Sequence, residues 1–300
     1  MAINTVKATI NGQTYTLTYN GSTGKYEATI TAPTITSYNQ PGGYYGVTVV
    51  VTDVAGNSTT QDSTNTANRL VVKEKVAPVI SNLSPAASAK LTTSGPTISG
   101  SITDETNGSG VDTSTFVLKI DGTTVSNTNV TFTTISGGYN FSYVASGLAQ
   151  GNHTYTVDVK DRDGNAAAQK SITFSVDTVA PTLNVTAPTD GLVTNQTNLT
   201  VTGTTSDTTS NPTTVTIKLN GVDQGTVTVD GSGNFSKAVT LASGSNTIIV
   251  RSTDSSGLYT EITRSLTLDA TPPTISLVEI SPNPVDAGAT FVIKVTASDA

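Results

Sequence analysis

Aspartates that follow short apolar segments are the side chains of this chain best suited to bind a metal ion. Asp53, Asp161 and Asp254 each begin an Asp-x-x-Gly sequence, while Asp177 and Asp269 precede Pro-containing segments. Calcium takes about six to eight oxygen ligands, so converging carboxylates would supply several of them. Because Asp-x-x-Gly is also ordinary turn chemistry, a purely structural role stays open. The candidate calcium ligands are Asp53, Asp104, Asp161, Asp177, Asp207, Asp254, Asp269 and Asp299.

Residues that catalysis would need are scarce. The chain has no Cys and a single His, His153, which excludes thiolate zinc sites, iron–sulfur clusters, a Cys nucleophile and metal sites with two histidines. No carboxylate or nucleophile partner of His153 is evident in the sequence, so we expect it at the surface. No Gly-x-Ser-x-Gly sequence or phosphate-binding Gly loop is present. We predict no catalytic residue, no enzyme, and no cofactor other than calcium.

One aromatic cluster could bind a glycan. Trp is absent, and Tyr38, Tyr44 and Tyr45 lie close together in the sequence. A glycan site usually presents an aromatic platform, which these rings could form. The alternative, which we favour, is that they pack at a corner between two strands, where a Tyr hydroxyl bonds to nearby backbone.

Charge and apolar runs exclude two classes of partner. The formal net charge is −7, with 15 Lys and Arg residues and a pI near 4.6. A basic patch that could bind nucleic acid by releasing counterions is therefore not expected. No apolar run approaches the ~18 residues that span a bilayer. Residues 1–5 lack a basic segment followed by an apolar core, so they do not predict a secretory signal.

The elements that must position these residues are predicted to be strands. Apolar residues alternate with Thr, Ser and charged residues, for example in Phe116–Ile120, Thr154–Val159 and Phe291–Val295. This alternation is typical of half-buried strands. Hairpin sequences such as Asn11–Gly12 and Asp121–Gly122 separate the segments, and no stretch has a helical period. The fold class is predicted to be all-β, with antiparallel strands.

The order of these signals recurs along the chain. Pro-containing linkers stand at Val76–Pro78, Val179–Pro181 and Thr271–Pro273. Late strands end in Asp-x-x-Gly at Val51–Asn57, Val159–Asn165 and Ser252–Gly257. A period of about 90–100 residues with many short strands predicts tandem immunoglobulin-like (Ig-like) β-sandwiches.

Two linker sequences carry a family resemblance. Asp177–Thr182 and Asp269–Thr274, together with the Val-x-Asp-x-x-Gly-Asn signature, resemble the bacterial Ig-like tandem repeats of large surface adhesins and phage virion proteins. The resemblance covers nearly the whole chain and departs at Gly257–Leu258, where the other repeats have Gly-Asn. It implies the Ig-like fold and leaves the function open, because this fold hosts many roles.

Two repeats are predicted to be complete, and the two ends to be parts of one domain. With strands named A to G in sandwich order, residues 77–178 and 179–270 follow the full order. Residues 1–76 form an incomplete domain without strands A and B, and residues 271–300 form an A–B hairpin. Pro181 lies 39 residues before the turn residue Asn220, and joining 272–300 to 1–11 gives the same spacing.

We expect the hairpin to complete the N-terminal domain of another copy. A sandwich without strands A and B leaves an inner face uncovered, and an isolated hairpin is marginal in water. The alternatives are a truncated chain, in which the partial repeats carry no meaning, and closure within one chain. The expected donor residues are Ile275, Leu277, Ile280, Phe291, Ile293 and Val295, and the expected acceptor residues are Tyr26, Ile30, Val47, Val49 and Val51.

This fold would also gather the aspartates. The linker before an Ig-like domain reaches the same end as the loops after strands B and F, so Asp177 would approach Asp207 and Asp254. In the preceding repeat the residues that would converge are Glu74, Asp104, Glu105, Asp161 and Asp163. Asp269 would approach Asp299 and, in an assembly, Asp53 of the next copy. Related adhesin repeats carry junction sites of this kind, so the resemblance also implies calcium.

The predicted function is a non-enzymatic structural protein. We expect it outside the cell, in a phage virion as a tail, fibre or capsid appendage, with itself and other virion proteins as partners. The alternatives are a fragment of a bacterial cell-surface adhesin or filament, in contact with other surface proteins, and a module that binds a cell-surface glycan or receptor. Neither nucleic acid nor membrane is expected as a partner.

Overall fold

The computed structural model describes residues 2–299, which are mostly β-strand. The chain divides into two compact units between residues 176 and 177. Within the described part, no helix is long and apolar enough to cross a membrane. The all-β fold class predicted from the sequence is confirmed.

The first unit begins with one antiparallel sheet. Its order is β3-β2-β1-β4-β5, with β6 also paired to β4. Short 3-10 turns at Ser37–Asn39 and Pro41–Gly43 precede β4, and another at Thr66–Asn68 precedes β6. The strands are β1 (Ile3–Ile10), β2 (Gln13–Asn20), β3 (Lys25–Glu27), β4 (Tyr45–Asp53), β5 (Ser58–Gln61) and β6 (Arg69–Leu70).

One face of this sheet is apolar and only partly covered. Three pairs on β1 and β4 lie directly opposite each other and therefore share that face: Val6–Val51, Ala8–Val49 and Ile10–Val47. Val6 and Ala8 are buried, whereas the three valines are half-buried. Tyr15, Ile30 and Leu70 line an open cleft of about 300 Å³ together with Ile10. The inner face is thus less exposed than the sequence predicts, but it is not closed.

The rest of the first unit is a complete sandwich. Its two sheets have the orders β11-β10-β14-β15-β8 and β12-β13-β9-β7. Thirteen buried apolar residues from both sheets form one core, in which Phe116 of one sheet contacts Phe141 of the other. The strands are β7 (Val79–Ser84), β8 (Lys90–Leu91), β9 (Thr97–Thr103), β10 (Val111–Ile120), β11 (Thr123–Thr124), β12 (Thr131–Ile135), β13 (Gly138–Val144), β14 (Gly151–Asp161) and β15 (Lys170–Val176); a 3-10 turn, Asn127–Asn129, precedes β12.

The second unit begins with a sandwich of the same plan. Its sheets have the orders β16-β18-β21 and β17-β23-β22-β19-β20, around a core that also has thirteen buried apolar residues. In residues 2–76, by contrast, the buried apolar residues are Val6, Ala8 and Tyr45. The strands are β16 (Thr182–Ala187), β17 (Leu192–Thr194), β18 (Asn198–Ser206), β19 (Thr214–Leu219), β20 (Val222–Asp223), β21 (Asn234–Thr240), β22 (Gly244–Thr253) and β23 (Tyr259–Leu268).

A two-stranded hairpin, β24 (Thr274–Ser281) and β25 (Val292–Ser298), completes the described chain. Its first pair, Thr274 opposite Ser298, has the same sequence separation as the pair Thr182–Ser206, which opens the β16–β18 ladder. All residues of the two strands are exposed. The hairpin therefore has the form of the paired strands β16 and β18 but packs no core of its own.

Candidate cation site and assembly surfaces

Three aspartates of the second unit form a buried cluster. Carboxylate oxygens of Asp177, Asp207 and Asp254 all lie within 4.8 Å of one another. The exposed fractions of these residues are 1%, 8% and 6%. The sequence predicted that these three aspartates lie close together, and the structure confirms it.

Local backbone fixes one oxygen of each carboxylate. Asp177 Oδ1 accepts a hydrogen bond from the backbone N–H of Val179, over 3.1 Å. Asp207, directly after β18, accepts from the N–H of Ser210 over 2.6 Å. Asp254, directly after β22, accepts from the N–H of Leu258 over 3.0 Å. The cluster is therefore held by the linker and two loops, with one oxygen of each side chain bonded to backbone, and Asp177 Oδ2 also accepts from the Ser256 hydroxyl over 3.5 Å.

The remaining oxygen of Asp254 has no partner. Its Oδ2 is buried and accepts no hydrogen bond, and neither ion pair of the described residues involves the cluster. A buried carboxylate without compensation is costly, and two more beside it add like-charge repulsion. The donor set is all oxygen, which suits a hard cation such as calcium. These residues fit a divalent cation.

A second group has the same arrangement in the first unit. Oxygens of Glu74, Asp104 and Asp161 lie within 4.8 Å of one another, and both Glu74 Oε2 and Asp104 Oδ1 are buried without a hydrogen-bond partner. Burial raises the pKa of the adjacent Glu105 to about 8, and the neighbouring carboxylates Glu74 and Asp104 add to the shift. This group concentrates negative charge in the same way as the first.

Asp163, which the sequence also placed in this group, has a different role. Its Oδ2 accepts hydrogen bonds from the Thr36 hydroxyl over 2.7 Å and from the Glu74 N–H over 3.0 Å. Nearby, the Asn39 amide donates to the carbonyls of Asn107 and Gly108 over 2.9 and 2.8 Å. Direct hydrogen bonds therefore join the segment that precedes β4 to the sandwich within the first unit.

The other three candidate ligands belong to neither described group. Asp53 is at the end of β4, where Asn57 donates to its carboxylate through its backbone N–H and side-chain amide. Asp269 accepts from the N–H of Thr271 over 3.1 Å. Asp299 is exposed and follows β25. Calcium binding at these residues stays a prediction.

His153 is buried, which corrects the expectation of a surface residue. Its Nδ1 lies 2.6 Å from Asp121 Oδ2, and its Nε2 lies 2.8 Å from the Ala149 carbonyl. Asp121 Oδ1 also accepts from the N–H of Thr154. In the next sandwich Asn220 makes the equivalent turn contact, accepting from the N–H of Thr247. The pair therefore supports a hairpin turn, and sequence analysis missed it because Asp121 is 32 residues away.

The tyrosine cluster is divided. Tyr45 is 4% exposed, and its hydroxyl donates to the Ile35 carbonyl over 3.0 Å, which is the corner packing favoured from the sequence. Tyr44 lies under the Arg69 guanidinium, 4.5 Å from the ring centre, while Tyr38 is exposed. The Tyr45 ring is therefore not part of an exposed platform. Glycan binding at Tyr38 and Tyr44 stays a prediction.

The expected donor residues lie on the hairpin and are exposed. Ile280 is opposite Ile293, and Val278 is opposite Val295, so these four side chains share one face. Leu277, named from the sequence, is opposite Thr296 instead, after an irregularity in β24. The six expected donor residues have exposed fractions from 46% to 67%: Ile275, Leu277, Ile280, Phe291, Ile293 and Val295.

The expected acceptor residues lie on the N-terminal sheet and beside it. Val47, Val49 and Val51 are on the apolar face, Ile30 lines the open cleft, and Tyr26 contacts Tyr19 with ring centres 5.3 Å apart. Sequence analysis did not name Val278, which shares a face with Ile280, or the buried Val6 and Ala8, which share a face with Val49. Strict alternation along each strand would have identified them.

Two family models match parts of the chain. Residues 86–178 match a bacterial Ig-like domain, and residues 181–270 match domain B of glucodextranase. No curated protein matched the sequence. Ig-like domain families are typically non-catalytic, and bacterial Ig-like domains are often extracellular or surface-exposed.

Several solved structures are similar at low identity. An I-band fragment of titin is 13% identical, with a TM-score of 0.43, over 89% of this chain and 88% of that one. Fibronectin(III)-like modules of Clostridium thermocellum CbhA are 18% identical, with a TM-score of 0.39, over 63% and 93%. Sidekick-1 immunoglobulin domains 1–4 are 11% identical, with a TM-score of 0.39, over 89% and 68%.

Proposed function

We propose that this chain, whose residues 86–178 match a bacterial Ig-like domain, is a non-enzymatic structural module that assembles head to tail. The tandem Ig-like domains support a structural or adhesion-type module. The assembly part rests on one observation: the exposed apolar hairpin has the form that the partly covered N-terminal sheet needs to become a sandwich. In the proposal, the hairpin of one copy covers the sheet of the next.

The hairpin is preformed for this role. In the sandwich of the second unit, β16 and β18 open with Thr182 opposite Ser206, and the Thr182 hydroxyl contacts both the carbonyl and the hydroxyl of Ser206. Thr274 makes the same two contacts with Ser298. Since the ladder is already formed, little backbone ordering remains to oppose association.

The sheet offers a matching apolar surface. Val47, Val49 and Val51 are half-buried on one face, and Ile10 and Ile30 line the cleft beside it. Burying a large apolar side chain contributes about 1.5–3 kcal/mol. The four shared-face hairpin residues are enough to drive association after ordering costs are subtracted. Because the two surfaces differ, the contact is heterologous and gives either a closed ring or a filament.

The proposed location is outside the cell, in a phage virion, with a bacterial cell surface as the alternative. The frequent extracellular location of bacterial Ig-like domains supports both. Other proteins of the same particle or surface are the proposed further partners. Mass spectrometry of purified particles and of the washed cell surface distinguishes the two locations.

A calcium ion in the cluster of Asp177, Asp207 and Asp254 is the second part of the proposal. The observation that supports it is the buried Asp254 Oδ2, which has no hydrogen-bond partner. The three carboxylates would hold the ion, and the ion would neutralise charges that otherwise repel each other. Its role would be to fix the linker residue Asp177 against two loops of the domain that follows it.

Mixing two variants tests the assembly. Ile293→Asp disrupts the hairpin face, and Val49→Asp disrupts the sheet face. Each variant alone is expected to be monomeric by light scattering, while an equimolar mixture forms one-to-one dimers, because each retains the surface the other has lost. Circular dichroism checks that both variants are folded, and Ile30→Asp replaces Val49→Asp if the latter is not.

Two results would overturn the assembly proposal. If the unchanged chain and the mixture both stay monomeric, the two surfaces do not meet between copies. If the unchanged chain is monomeric but Ile293→Asp lowers its thermal stability strongly, the hairpin closes within one chain instead.

A further inference from the structure

We infer that β25 of one copy pairs as a strand with residues 25–30 of the next copy, in the register that places Val292 opposite Thr29. This inference rests on the head-to-tail assembly proposed above and names the backbone segment that receives the hairpin. Backbone hydrogen bonds along such an added strand supply affinity, and the side-chain register supplies specificity. The contact between copies would then include a strand edge as well as an apolar face.

Residues 25–30 stand where both complete sandwiches have a paired strand. β1 pairs with β2 and β4 as β19 pairs with β20 and β22. The strand that follows β20 in the chain, β21, pairs with β18, and β13 pairs with β9 in the first sandwich, each over seven residue pairs. The strand that follows β2 is β3, which lies at the edge of its sheet. It therefore lacks the partner that β18 gives to β21, and β25 has the pairing pattern of β18.

The backbone after β3 is available for pairing. Residues 28–33 belong to no strand, and Ala28, Thr29 and Thr31 are exposed. Within the described part of the chain, residues 28–33 form no hydrogen bond between backbone groups. Free N–H and carbonyl groups at the edge of a sheet are a template for a strand from another chain.

Side-chain direction restricts the register to steps of two residues. Tyr26 is opposite Tyr19 and therefore shares the face of β2 that carries Tyr15, which lines the open cleft. On β25, Ile293 and Val295 share the apolar face of the hairpin. A slip by one residue would turn one of these two sets away from the other. Ile293 and Val295 must therefore be opposite even-numbered residues of the segment.

Charge selects one register from this series. The inferred register places Lys294 of one copy opposite Glu27 of the next, and both side chains are exposed. A slip by two residues would place Lys294 opposite Lys25 in one direction or Thr29 in the other. Opposite charges directly across an antiparallel pair stabilise it, whereas like charges destabilise it. Neither Lys294 nor Glu27 belongs to an ion pair among the described residues, so the inferred register adds one.

The second unit supports the same register independently. There, Thr204 of β18 is opposite Asn234, the first residue of β21. Thr296 has the position in β25 that Thr204 has in β18, because each lies two residues before the serine that opens the ladder. The inferred register places Thr296 opposite Lys25, the first residue of β3. The added strand would thus begin at the same point after the turn as in a complete sandwich.

Disulfide formation between two single-cysteine variants tests the inference, since the chain has no Cys of its own. Val292→Cys is mixed with Thr29→Cys under mild oxidation, and covalent heterodimer is followed by mass spectrometry. Thr31→Cys, at an exposed Thr two residues further along, is the matched control. Because diagonal neighbours lie about 7–8 Å apart, at the limit of disulfide reach, Thr29→Cys is expected to cross-link about tenfold faster than Thr31→Cys. Light scattering of each mixture measures assembly separately.

The outcomes separate the two proposals. If both mixtures assemble but Thr29→Cys and Thr31→Cys cross-link to Val292→Cys at equal rates, the strand pairing is wrong and head-to-tail assembly stands. Faster cross-linking of Thr31→Cys would also overturn the inferred register. If neither mixture assembles, the assembly proposal itself fails, and the strand pairing fails with it.

Discussion

The Thr274 hydroxyl donates a hydrogen bond to the carbonyl of Ser298 over 3.2 Å, which ties together the outer ends of an exposed hairpin. The same contact joins β16 and β18 of the sandwich in the second unit, where a full core covers them. The same Thr–Ser pairing thus occurs once in a sandwich with a core and once in a hairpin without one. Because the hairpin is exposed, we expect a partner sheet to cover it.

Calcium is expected to stabilise the chain through Asp254. A ligand at 100 times its dissociation constant adds about 2.7 kcal/mol to the free energy of unfolding. Asp254→Asn removes one charge and one ligand but keeps an oxygen for the N–H of Leu258, so it should lose most of this gain. Differential scanning calorimetry with calcium and with chelator measures the effect.

The control for this prediction is Asp223→Asn, an exposed aspartate that accepts from the N–H of Gly225. It should keep the full calcium response. In chelator, Asp254→Asn should be at least as stable as the unchanged chain, because it relieves repulsion. Equal destabilisation of Asp254→Asn with and without calcium would assign the cluster a purely structural role.

The pair of His153 and Asp121 should make stability depend on pH. Burial opposes the charge on His153, but the Ala149 carbonyl and Asp121 outweigh it and raise its pKa above 6.5. Burial likewise opposes the charge on Asp121, yet His153 and the N–H of Thr154 hold its pKa below 3.8. The contribution of His153 is complete below pH 6.5 and lost as the pH rises through its folded-state pKa. That of Asp121 is complete above pH 3.8 and lost as the pH falls.

Asp121→Asn tests this window. The amide can still accept from the N–H of Thr154, as Asn220 does in the next sandwich. Since Asp121 is 46% exposed, the cost is expected to be about 0.5–1 kcal/mol around pH 5–6, decreasing toward pH 9. Urea unfolding at several pH values measures it, and a cost that does not change with pH would contradict the charged pair.

Tyr155→Phe should destabilise the sandwich of the first unit. The Tyr155 hydroxyl donates to the Pro85 carbonyl over 2.7 Å in a fully buried site, and burial raises its pKa to about 12, so it stays neutral. Losing the donor leaves a buried carbonyl unpaired, which costs about 1–3 kcal/mol. Tyr259→Phe, at an exposed ring, is the control and should change the free energy of unfolding little.

The sequence predicted the fold through features that are local. Alternation of apolar and polar residues in Phe116–Ile120 predicted a strand. In the structure this strand begins at Val111, where polar residues such as Asp112 and Ser114 interrupt the alternation. The 30-residue spacing of Asp177 and Asp207 is also visible in sequence. Sandwich topology brings the linker and the loops to one end of the domain, so the sequence predicted that Asp177 and Asp207 lie close together, and the structure confirms it.

Contacts between distant segments were not predictable in the same way. The partner of His153 is a turn residue that reads as ordinary hairpin chemistry, and Thr36 contacts Asp163 across 127 residues. Neither contact leaves a periodic signal in the sequence. The register of β24 and β25 shifts between Ile275 and Leu277, which places Leu277 opposite Thr296. Sequence composition does not reveal such a shift.

The most direct test of head-to-tail assembly is the solution mass of the full chain, measured by light scattering across concentration beside two hairpin variants. Ile293→Asp changes the face shared with Ile280, while Val292→Asp changes a neighbour opposite Ser281 with nearly the same exposure, 56% against 57%. The account predicts oligomers for the full chain and for Val292→Asp, and monomers for Ile293→Asp. Monomers for all three at every concentration would contradict it.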